Sequence, residues 1–203
     1  AHGTAYNFDE EYRPKLFKRL REFVWIEPVH EMVRLDPVVY DSDIVIDHRP
    51  ESNHAGRDFA VFRKQIQNGR MLSKRLHHMY AMELYISGEE QDFLDAEEFF
   101  TATALDPERS MDEVKEAVCI VCRAARLRDD SHTLLKMSLK DLLSEGSAEM
   151  CWELGEYFFG KGDYEEAAMW YYNAAHETQS ILNIHTSTDW PEQRLEECSR
   201  KSK

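Results

Sequence analysis

From Arg57 onward the apolar positions recur with a helical period. Phe59, Phe62 and Ile66 stand at i, i+3 and i+7, which places them on one face of a helix that Gly69 ends. The same pattern predicts further helices at about 73–87, 92–105, 111–127, 130–145, 148–160 and 163–178, joined by short loops. Asp189-Trp190-Pro191 opens a last helix, with Asp189 as N-cap and the proline in the first turn. Residues 1–56 follow no such period. Pro28 and Pro37 interrupt short mixed segments there, and Val38-Val39-Tyr40 and Ile44-Val45-Ile46 are β-branched runs of strand length. The polar, turn-rich stretch 49–56 marks the boundary, so the expected domains are 1–56 and 57–203.

The helices also repeat. Leu154, Gly155, Phe158, Ala167, Tyr171 and Ala174 fall at the spacing of the six core positions of a tetratricopeptide unit, whose period is about 34 residues. In that pattern Gly155 and Ala167 let two helices approach, while Leu154, Phe158 and Tyr171 fill the space between them. Gln179 stands where a late proline is usual. Two weaker units precede this one. The first aligns on Ala96, Phe100 and Tyr80, with Thr103 at an alanine position; the second aligns on Leu134, Val121, Cys122 and Ala125. Such units bury a continuous core only by stacking. The expected fold class is therefore mainly α: a tetratricopeptide-like α-α superhelix behind a short strand-rich segment. An irregular helical bundle is the alternative.

Charge narrows the choice of partners. A formal net charge of -14 disfavours nucleic acid and anionic membrane surfaces, because phosphate binding needs clustered Lys and Arg. No stretch has the roughly 20 apolar residues that span a bilayer. The four cysteines lie in helical segments without disulfide-rich spacing, which points to a reducing, cytoplasmic setting. Cys119 and Cys122 have metal or redox spacing, but no second ligand pair accompanies them, so they are expected as core residues. His77 and His78 project about 100° apart on a helix and are expected at the solvated surface. Asp41-Ser42-Asp43 offers oxygen ligands for a cation, though such residues more often make a turn. Trp170 and Tyr172 flank the buried stripe of the aromatic-rich last hairpin, where they could line a groove.

The segment Trp25-Ile26-Glu27-Pro28-Val29-His30-Glu31 is more specific. With Tyr12-Arg13-Pro14-Lys15-Leu16-Phe17-Lys18-Arg19 before it, it resembles the end of the catalytic domain in bacterial family-2 glycosyltransferases that carry C-terminal tetratricopeptide repeats. Ile44-Val45-Ile46-Asp47-His48, Arg57-Asp58 and the upstream Tyr6-Asn7-Phe8-Asp9 follow the same order of motifs. The family usually has glycine where Glu27 stands, and often Gly-Tyr where this chain has Arg49-Pro50. No Lys-Asn-Glu follows a first strand and no Asp-x-Asp stands at the family's position for it, so 1–56 is expected to be the tail of a GT-A domain.

The resemblance implies transfer of a sugar from a nucleotide-sugar donor with inversion, assisted by Mg²⁺ or Mn²⁺ on the diphosphate. His30 would lie beside the metal and diphosphate, Glu31 would orient it or act at the acceptor, and Trp25 would wall the acceptor side. The repeats would bind the acceptor or a protein partner, or mediate self-association. The other reading is a non-enzymatic scaffold that binds a peptide or partner protein.

Overall fold

The computed structural model describes residues 16–17, 22–29, 31–34, 40, 42–46, 55–143 and 145–202. The chain divides into two compact units, with the change at Leu72.

In the first unit a small antiparallel sheet pairs β1 (Trp25–Ile26) with β2 (Met32–Val33), Trp25 opposite Val33 and Ile26 opposite Met32. The Arg34 N–H donates to the Val24 carbonyl at 2.8 Å and extends the hairpin by one pair. Val29 and Val33 are buried. Glu27 sits in the left-handed region at φ 69°. Few non-glycine residues adopt that conformation, because the Cβ crowds the backbone there. Helix α1 (Ala55–Gln67) follows, with Phe59 and Phe62 buried as the periodicity predicts. Ile44, Val45 and Ile46 belong to no strand and are exposed. β-branched composition favours extended backbone, but a strand also needs a partner edge. Of the other predicted run, only Tyr40 is among the described residues.

The second unit holds α2 (Lys74–Ser87), α3 (Glu90–Leu105), α4 (Met111–Leu127), α5 (Ser131–Leu142), α6 (Ala148–Lys161), α7 (Tyr164–His176) and α8 (Asp189–Lys201). Their starts have a common chemistry. Side chains of Ser73, Ser110, Asp130, Ser147 and Asp163 each accept a backbone N–H from the first turn that follows. Gly162 ends α6 at φ 81°, a left-handed cap that glycine adopts without strain. Helix α8 departs from expectation. Its N-cap is Thr188, and Asp189 is the first helical residue, its carboxylate turned to His185 and Thr188 instead.

Successive helices pack as hairpins: α4 lies against α3 and α5, and α7 against α6 and α8. Helix α4 also touches α2 and α6, so α2, α4 and α6 adjoin in order. Most repeat positions named from the sequence are buried, including Tyr80, Ala96, Phe100, Leu134, Val121, Cys122, Ala125, Leu154, Ala167, Tyr171 and Ala174, while Phe158 is only partly buried. A short 3-10 helix, Ile184–Ser187, precedes α8. Among the described residues no helix is long and apolar enough to cross a membrane.

Candidate functional site

The structure places two of the three sequence-predicted site residues on one hairpin. Trp25 is on β1, 63% exposed, with its ring 6.3 Å from that of Phe17 in an edge-to-face arrangement. Glu31 is exposed in the connection just before β2. His30 lies outside the described residues. Asp41 and His48 also lie outside them, while Asp43 is exposed in a bend whose Ser42 hydroxyl accepts the Ile44 N–H. Among the described residues no three of His, Cys, Asp and Glu stand together as a metal site.

A second constellation lies in the helical unit, and sequence reasoning missed it. His77 is buried, against the expectation of a solvated histidine pair. Glu116 of α4 reaches α2 and takes both imidazoles: Nδ1 of His77 at 3.0 Å and Nδ1 of His78 at 2.6 Å. An ionised carboxylate only accepts, so each ring carries its proton on Nδ1 here. Burial pushes the Glu116 carboxyl up, but the two imidazole hydrogen bonds outweigh burial and hold it below the usual range. A depressed folded pKa gives stability that is present above the unfolded value of 4.5 and lost as pH falls through the folded one. We therefore expect Glu116→Gln to cost roughly 1–2 kcal/mol at neutral pH and progressively less on acidification. Urea unfolding at pH 7 and pH 4 checks this; an equal gap at both pH values contradicts it.

Further along the same helices, Glu153 of α6 is fully buried and gathers groups from α2 and α4. The Arg126 Nε donates to it at 2.6 Å, the Arg123 Nε is 3.8 Å away, and the Tyr85 hydroxyl donates at 3.4 Å. The Arg123 guanidinium covers the Phe93 ring at 4.3 Å and the Tyr85 ring at 5.1 Å. Burial and the neighbouring Glu153 charge push the Tyr85 phenol well up, so it stays a neutral donor. Near the N-terminus of α6, the buried Glu149 accepts the backbone N–H groups of Ile181, Leu182 and Asn183 at 2.8–3.1 Å. The Asn183 amide in turn donates to the Tyr85 carbonyl at 2.9 Å. These contacts order the connection between α7 and α8.

The cysteines are packing groups: Cys119 and Cys122 are buried on α4 against Ser147 and the Leu134 carbonyl. Burial raises both thiols well above their ordinary range, which leaves little thiolate for metal or redox chemistry. Trp170 donates within its own helix to Glu166 at 3.0 Å, while Tyr172 is half exposed beside His176. A polar cleft of ≈ 290 Å³ opens between Arg126, Asp129, Glu156, Tyr157, Gly160 and Lys161. Its charges are engaged within the protein: Arg126 with Glu153, Lys161 with Asp129, and Glu156 with Arg194.

Comparison with protein families, with curated proteins and with solved structures returns no match for this chain.

Proposed function

We propose that this chain is the C-terminal part of a metal-dependent, inverting glycosyltransferase, with a tetratricopeptide-like helical array for acceptor binding or subunit association. The observation that carries the reading is the backbone at Glu27. It is left-handed at the position where the family that the segment resembles usually has glycine, the residue that conformation favours. The same hairpin holds Trp25 and Glu31 exposed, as residues that meet a substrate must be. Glu31 is the candidate carboxylate that deprotonates the acceptor or orients His30, Trp25 the wall of the acceptor side, and His30 the residue beside the diphosphate and metal. A bound Mg²⁺ or Mn²⁺ would neutralise the departing diphosphate. The described residues do not form a metal site by themselves, so other ligands must complete one. The reading places the protein in the cytoplasm, where nucleotide sugars are made.

UDP-sugars titrated with Mn²⁺ into the longest natural product containing this chain, and into this chain alone, test the reading. Binding by the former only is the expected result, with His30→Ala in it lowering turnover by roughly a hundredfold. Metal-dependent turnover unchanged by His30→Ala would remove His30 from the site. A second reading, a scaffold without catalysis, draws on Met169 and Tyr172, both exposed on α7. Absence of donor binding by the longer product, with partner binding retained, favours it.

A further inference from the structure

Helix α5 exposes an apolar stripe that the packing of the array leaves uncovered. Leu135, Leu139 and Leu143 stand at i, i+4 and i+8 and are 43%, 56% and 86% exposed. This spacing puts them along one face, leaning slightly around the helix. Their buried counterparts, Leu134, Met137 and Ser138, face inward, so the helix has its core side satisfied and still presents leucines outward. The stripe continues onto α3. Lys140 donates to the Ala104 carbonyl at 3.0 Å, and the next residue, Leu105, is 58% exposed.

On α5 itself the exposed charge is opposite to that of the protein, while the acids Asp106, Glu108 and Glu145 lie in the adjoining connections. The chain carries 39 Asp and Glu against 25 Lys and Arg, yet the one acid in α5, Asp141, is buried and bound to Ser147. The charged residues that α5 exposes are Lys136 and Lys140, with His132 at its start. On the helical wheel both lysines border the leucines on one side. A row of leucines edged by lysines, on an otherwise acidic protein, calls for a partner with apolar residues at the same spacing and acid along one edge. A second copy meeting α5 against α5 would oppose lysine to lysine, which disfavours it.

We propose that the outer face of α5, Leu135, Leu139 and Leu143 with Leu105, Lys136 and Lys140, is a docking surface for an amphipathic helix with acidic flanks. This holds whether or not the chain belongs to a transferase, and its test reads no donor binding. The probes are two synthetic helical peptides with the same leucine stripe, one flanked by Glu and one by Lys, titrated against the full chain by fluorescence anisotropy. The Glu-flanked peptide is expected to bind roughly fivefold more tightly, from two exposed ion pairs, with the preference fading in high salt. Leu139→Glu is expected to weaken that binding by roughly tenfold or more, and Lys136→Glu to erase most of the preference. Both positions are exposed, so circular dichroism should show an unchanged fold. Equal affinity for the two peptides, no binding of either, or indifference to Leu139→Glu overturns the proposal. So does a concentration-dependent dimer in sedimentation equilibrium that Leu139→Glu abolishes, because the occupant is then a second copy.

Discussion

Replacement of Glu149 by leucine is expected to destabilise the helical unit by roughly 3 kcal/mol, while Glu149→Gln costs roughly 1 kcal/mol. The carboxylate is buried, and three consecutive backbone N–H groups, from Ile181 to Asn183, have it as their acceptor. Leucine fills similar space but takes the acceptor from the buried Leu182 and Asn183 amides, and each buried unsatisfied amide costs about 1–3 kcal/mol. Relief from burying a charge offsets part of this. Glutamine keeps a carbonyl oxygen for the donors and removes the charge, so its effect is smaller. Acidity supplies a further check. Burial raises the Glu149 carboxyl, and the amide hydrogen bonds only partly restore it. A raised folded pKa gives a contribution that is present below the unfolded value of 4.5 and lost as pH rises through the folded one. Wild type should therefore gain on Glu149→Gln as pH falls. Urea midpoints followed by far-UV circular dichroism measure both effects; a leucine variant as stable as wild type would refute the assignment.

Gly155→Ala is expected to destabilise by roughly 2 kcal/mol, although alanine in a helix interior usually gains about 1 kcal/mol over glycine. A Cβ at 155 would lie 2.5 Å from Cε1 and 2.6 Å from Cδ1 of Tyr171. That ring has little freedom to withdraw. It is buried, lies 5.4 Å from the Trp152 ring, and donates its hydroxyl to Glu156 at 2.7 Å. Glu156 is itself held by two bonds from Arg194, at 2.7 and 3.1 Å. Combining Gly155→Ala with Tyr171→Leu should recover much of the loss, because the smaller side chain vacates the space. A double-mutant cycle in thermal unfolding reads the coupling. If the two effects simply add, the steric account fails.

Much of the helical unit was legible in the sequence because its information is local. The apolar period set the faces, and the residues Ser73, Ser110, Asp130, Ser147 and Asp163 set the starts, since each caps a helix through a neighbour three positions on. Gly155 was legible as a small residue where two helices approach, and Tyr171 as a residue filling the space between them, but not their direct contact. What escaped is what the chain decides at long range. Glu149 reads as an ordinary first-turn acid, yet it organises residues more than thirty positions away. His77 and His78 read as a solvated pair, because one sequence does not show that Glu116 of a neighbouring helix will cover them. The same limit explains Ile44 to Ile46: composition states a preference for extended backbone and says nothing of an edge to pair with. In the hairpin, the motif containing Trp25 and Glu31 was visible, but the left-handed backbone at Glu27 was visible only as an unexpected residue at a glycine position.

In a stacked array each unit ordinarily meets its neighbours alone, and the ends are free to fray. The bond from the Asn183 side chain to the Tyr85 carbonyl joins residues 98 apart and fastens the segment before the last helix to the end of α2. With Glu149 clamping the same loop, loss of that loop and the last helix would take the backbone donors from Glu149 on α6 and the amide donor from the Tyr85 carbonyl on α2. The helical unit is therefore closed as a strap is closed by its buckle. Shortening the chain from the C-terminal side therefore removes contacts made by both α6 and α2.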